Sequence, residues 1–75
     1  MPITAGKCRR FEFVAGSSDK FWELALKGNR VEVRFGRNGT IGQSTVKTFA
    51  NEVTAANHAD RVIRQKLGKG YVEVR

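Results

Sequence analysis

One cysteine, one proline, one histidine and seven acidic residues are all that this chain of 75 residues offers of four chemically telling kinds. Each scarcity excludes something. Cys8, alone, forms no internal disulfide and no cysteine-based metal site. A small domain that folds without disulfides suits a reducing compartment. His58 has no partner placed by any motif, so neither a metal-ligand set nor a general base is evident. Paired carboxylates for acid–base work are equally absent, and Cys8 has no base beside it to make it a nucleophile. No apolar run reaches membrane-spanning length, and residues 1–15 lack the apolar stretch of a signal peptide. The chain is therefore expected in the cytoplasm, without a membrane partner, a cofactor or an enzymatic activity.

What is present is positive charge. Fourteen Lys and Arg against seven Asp and Glu give a net charge of +7 and a pI near 10.4. Polyanions, nucleic acid first, are the partners such a surface attracts; a generally basic, soluble surface is the plainer alternative. The length allows one domain, and the 40% apolar content is that of a folded chain with a modest core.

Residues 9–14, "RRFEFV", alternate Phe11 and Phe13 with Arg10, Glu12 and Val14, the period of a strand buried on one face. "AGSSD" reads as a loop, and "KFWELALK" as a second strand with Trp22, Leu24 and Leu26 on one face. Gly28-Asn29 suits a type II′ turn into a third strand, "RVEVRF". After a glycine-rich stretch, "QSTVKTFA" is a fourth. From residue 51 the spacing changes to three and four. Val53, Ala56, Ala59, Val62, Ile63 and Leu67 then form the apolar stripe of a helix, with Asn51 as N-cap and Gly68 or Gly70 at its end. "YVEV" is a short last strand. The expected class is α+β: a four-stranded antiparallel meander, a short C-terminal strand and one amphipathic helix packed on a face. Residues 1–8 are read as a tail and 9–75 as the domain.

The meander has a consequence. Its first and third connections emerge at one end of the sheet, so residues 15–19 and 36–42 should be neighbours. The helix starts at the other end and returns, bringing Lys66 and Lys69 toward Lys20 and Arg37, with Phe35 at the edge of this basic rim. Asn38-Gly39 within "RFGRNGTIGQS" is a common turn dipeptide, and no Walker-type loop fits because a strand follows it. Two readings stand there: a plain turn, or glycines that let a backbone approach a ligand beside arginine forks. Phe35 likewise has two, core packing in phase with Val31 and Val33, or a half-exposed ring that stacks on a base. Trp22, in phase with two leucines, reads as core.

"GSSDKFWEL", "VRFGRNGTIGQS", "KTF" and "QKLGKGYVEV" occur in the order seen in WGR domains, which the chain resembles over about residues 9–74. The family's Trp-Gly-Arg tripeptide stands here as Phe35-Gly36-Arg37. The resemblance implies an antiparallel sheet with one packed helix. WGR domains occur in poly(ADP-ribose) polymerases, where they contact DNA breaks, and in bacterial proteins. It also implies a place for Phe35 at the DNA terminus, where the motif's tryptophan packs, and for Arg37 at a charged contact. Phenylalanine keeps a π-face but lacks the indole N–H. No ADP-ribosyl transfer carries over, because the catalytic domain of the polymerases is missing. Rim and resemblance together make Lys20, Arg34, Phe35, Gly36, Arg37, Gly39 and Lys69 the candidate contacts to DNA ends or nicks, in a chain expected to be monomeric. The alternative is a module whose rim docks an acidic protein.

Overall fold

The computed structural model describes residues 8–74. Five strands and one helix follow in order: β1 (Cys8–Ala15), β2 (Ser18–Lys27), β3 (Arg30–Arg37), β4 (Gln43–Thr48), α1 (Glu52–Gly68) and β5 (Val72–Val74). The sheet order is β4-β3-β2-β1-β5, all neighbours antiparallel. The expected α+β meander is therefore observed, with β5 added beside β1. Cys8, assigned above to the tail, opens β1, and the rest of that tail lies outside the described residues. The five-residue loop expected at "AGSSD" is instead a tight turn, since Ala15 already pairs with Ser18.

The core lies on one face. Register brings Phe11, Trp22 and Phe35 side by side across β1, β2 and β3, and period two then places Leu24, Leu26, Val31 and Val33 on the same side. Phe11 and Leu24 are wholly buried there. The helix covers this face with Ala55, Ala59 and Ile63, spaced by four. This departs from the stripe read in the sequence: Val53 and Leu67 are exposed, and Ala55 rather than Ala56 faces inward. The reason is helical phase: at about 100° per residue, Ala55, Ala59 and Ile63 fall on one row, and Val53, Ala56 and Leu67 turn away from it. Asn51 caps the helix as expected, its Oδ1 accepting from the Thr54 N–H at 2.8 Å.

The opposite face carries no helix, yet Phe21 on it is only 1% exposed. Two guanidinium groups roof its ring, Arg10 at 4.5 Å and Arg34 at 5.2 Å from the centroid. Glu23 holds both, accepting from Arg10 at 2.7 Å and from Arg34 at 3.0 Å. The sequence reading left Phe21 unassigned, and its burial rests on charged side chains lying flat over it. Burial pushes the Glu23 carboxyl up, but the hydrogen bonds from Arg10 and Arg34 outweigh it and leave the pKa below the ordinary value. A lowered folded pKa gives stability that is present above the usual carboxylate range and lost as the pH falls through the folded value. Glu23→Gln is expected to cost about 1–2 kcal/mol at neutral pH. Chemical denaturation at neutral and acid pH checks this: the gap between the variant and the parent protein should narrow in acid.

Candidate nucleic-acid interface

The end of the sheet where β1 turns into β2 and β3 leaves for β4 is tied together by one side chain. The Asn38 backbone N–H donates to the Asp19 carbonyl at 3.0 Å, and Asn38 Nδ2 donates to Asp19 Oδ1 at 2.6 Å. Arg10 donates to Asn38 Oδ1 at 2.9 Å. The two connections are thus neighbours, as the meander requires. The turn itself is closed by the Thr40 N–H on the Arg37 carbonyl at 3.2 Å, and only Gly39 of the Asn38-Gly39 pair has positive φ. Gly39 sits at the open tip, with nothing near the position of an added Cβ.

Gly36 has a structural task. A Cβ there would come within 2.8 Å of the Gly42 Cα, so its absence lets the loop fold back onto β3. Its neighbours point to the other side of the sheet. Phe35 and Arg37 share the helix side, and Arg37 pairs across the strands with Lys20. Phe35 is 39% exposed and stands outside the buried cluster, because α1 covers Val31 and Leu24 but not this end of β3. The Phe35 ring is thus half exposed and not a member of the buried core.

Arg34 goes elsewhere. Alternation sends it to the face of Phe21, where Glu23 engages it, so it does not join the other candidates.

The helix end completes the rim. The Tyr71 N–H bonds to the Lys66 carbonyl and the Gly70 N–H to the Leu67 carbonyl, both at 3.1 Å, a Schellman motif with Gly70 at φ +103. This motif stacks the residue after the glycine on the last helical turn. The Lys66 Nζ accordingly lies 5.2 Å from the Tyr71 ring centroid and 5.6 Å from that of Trp22. Lys20 Nζ approaches the Tyr71 ring at 5.9 Å and that of Phe13 at 5.3 Å. Burial, then the charges of Lys69 and Lys20, push the Lys66 amine below its ordinary pKa. An open cleft of about 450 Å³ results, lined by Lys20, Trp22, Phe35, Arg37, Lys66 and Tyr71 among others. Lys69 does not line the cleft but lies within electrostatic reach of Lys66.

Tyr71 is the site residue that sequence reasoning missed, having been read only as part of a strand. Its signal was the preceding glycine, which marks the following residue as the one packed on the helix end. Trp22 is core, as expected, although its edge also reaches the cleft. Chemically the rim offers ammonium and guanidinium groups around aromatic rings. The described residues include no cluster of His, Cys, Asp and Glu able to hold a metal. No described helix is long and apolar enough to cross a membrane.

The fold recurs in another protein of known structure. A crystal structure of a protein from Bacteroides fragilis superposes with a TM-score of 0.90 at 39% identity, over 92% of this chain and 20% of that one. In Escherichia coli (strain K12), the uncharacterized protein YfeS is 35% identical and the protein YehF 37% identical, each over 87% of this chain. The chain spans 27% and 24% of the lengths of these two relatives. The family model of the WGR domain matches residues 8–75. With this match over nearly the whole chain, and with the fold shared, the chain belongs to the WGR domain family.

Proposed function

We propose that this domain is a non-catalytic nucleic-acid-binding module that contacts DNA at ends or nicks through the basic aromatic rim. The observation that supports this reading is the segregation of charge. On the strands, Arg9, Arg10, Lys27, Arg30 and Arg34 are each neutralised by a glutamate within 4 Å. Lys20, Arg37, Lys66 and Lys69 form no ion pair among the described residues and gather at one end of the molecule, whereas the other unpaired described cations, Lys47 and Arg61, stand beside His58. Cations brought together without an ion-pair partner repel one another, a cost that a bound polyanion offsets.

The preference for ends rests on Phe35. A ring half exposed on a rim reaches the face of a base or sugar only where the stack is interrupted, at a terminus or a nick. Lys20, Arg37 and Lys69 are placed to neutralise phosphates beside it, in a monomeric, cytoplasmic setting. Phe35, Arg37, Lys20 and Lys69 keep their assigned roles in this reading, and Tyr71 and Lys66 join them. Gly36 and Gly39 shape the loop, whereas Arg34 serves the opposite face.

The test is ionic strength. With about three or four phosphates neutralised, log affinity for a short duplex should fall against log salt with a slope of roughly −3, near 0.9 per phosphate. Fluorescence titration at several salt concentrations measures it. Affinity indifferent to salt would remove the electrostatic basis of the proposal.

A further inference from the structure

Lys66 is the one half-buried lysine among the described residues, the others being exposed. Its ammonium rests on the Trp22 and Tyr71 rings, partly shielded from water, and no carboxylate lies within ion-pair distance among the described residues. Lys27, by contrast, is held by Glu32 at 3.2 Å, and Lys47 is exposed beside Phe49. Across the cleft from Lys66 stand Lys20 on β2 and Arg37 on β3, with Lys69 on its own helix end. Burial, then the charges of Lys69 and Lys20, favour the uncharged amine, which is the nucleophilic form. Lys20 and Arg37, which line the same cleft, attract an anion to its side.

We propose that Lys66 is a modification site, at which a small acyl phosphate, its phosphate held by Lys20 and Arg37, transfers its acyl group to the Lys66 amine. The amine lone pair attacks the acyl carbon, and the acyl carbon–oxygen bond breaks. Inorganic phosphate leaves with the electron pair, and the proton lost by nitrogen passes to phosphate or water. The product is a neutral amide, whose apolar acyl group suits the Trp22 and Tyr71 rings better than a solvated surface. Its regulatory consequence rests on the nucleic-acid reading above: an acylated Lys66 removes one cation from the rim.

The experiment treats the full chain with acetyl phosphate, without DNA, and follows acetylation of each lysine by peptide mass spectrometry. Lys66 should react about threefold faster or more than Lys27 and Lys47, the gain expected from neighbouring cations that concentrate the anion. Arg37→Ala should slow Lys66 acetylation by acetyl phosphate about threefold. The same variant should leave its reaction with an uncharged active ester unchanged, which separates anion capture from intrinsic nucleophilicity and from misfolding. Lys66 reacting no faster than Lys27 and Lys47, or an acetyl phosphate rate insensitive to Arg37→Ala, would overturn the proposal. Because these rates are read without DNA, absence of DNA binding would defeat only the nucleic-acid reading. If DNA does bind, the acetylated protein should show a salt slope shallower by about 0.9.

Discussion

Alanine at both Lys20 and Arg37 is expected to weaken binding to a short duplex about 100-fold or more at low salt, with the fold kept. The two side chains are cross-strand partners on the rim, both exposed, and neither has an ion pair whose loss would disturb the sheet. Each charge-assisted contact to a phosphate is worth about 1.5 kcal/mol or more, and every 1.4 kcal/mol is about tenfold in affinity. The salt slope of the double variant should also become shallower by roughly two units, one for each lost contact. Titration beside a thermal melt checks both halves. A variant that melts like the parent and binds DNA equally well would show that the rim is not the contact surface.

How much of this was legible in the sequence is best seen in pairs of neighbouring residues. Period two alone separated Trp22 from Phe21 and Phe35 from Arg34, and register confirms both separations. The sequence reading nonetheless named Arg34 with Phe35 for the site, following the tripeptide's surroundings where alternation argued against it. The meander topology correctly brought residues 15–19 beside 36–42 and the helix-end lysines toward Lys20, because both follow from the order of elements. Phe21 was not legible, since its cover consists of Arg10 and Arg34, residues that pattern reading assigns to solvent. The helix face was misplaced by one position at Ala55 because adjacent alanines offer no contrast in size or polarity, so the apolar spacing of α1 did not fix the phase at that end.

Gly42→Ala is expected to be the most destabilising single change in the loop. Gly42 has φ +76, and a Cβ there would overlap the Phe35 carbonyl oxygen and stand 2.9 Å from Phe21 Cζ. A left-handed conformation costs an L-residue about 1–2 kcal/mol, and forcing a methyl into packed surroundings adds about 1–3 kcal/mol. Together these correspond to a fall in melting temperature of roughly 10–20 °C for a domain of this size. Gly39→Ala is the control. Its φ of +89 imposes comparable backbone strain, but no atom lies within 4 Å of the added Cβ, so only the first cost applies. Thermal melts of the two variants side by side decide the matter. Equal melting temperatures would mean that the loop does not pack against Phe21 and β3 in the way that positions Phe35.

The central claim, that the rim recognises the terminus of a duplex rather than its length, is tested most directly by competition. A short duplex carrying 5′-phosphates is set against a covalently closed circle offering the same number of base pairs, in the same salt. A basic surface without an exposed ring binds both alike, because phosphate density is the same in each. A rim with Phe35 beside Lys20, Arg37 and Lys69 should bind the ended duplex more tightly, and loss of the 5′-phosphate should narrow the difference. Phe35→Trp should widen it, since the larger ring adds stacking area and an N–H donor. Equal affinity for both DNAs, unchanged by Phe35→Trp, would contradict end recognition, and capture of an acidic protein without any DNA affinity would assign the rim to a protein partner instead.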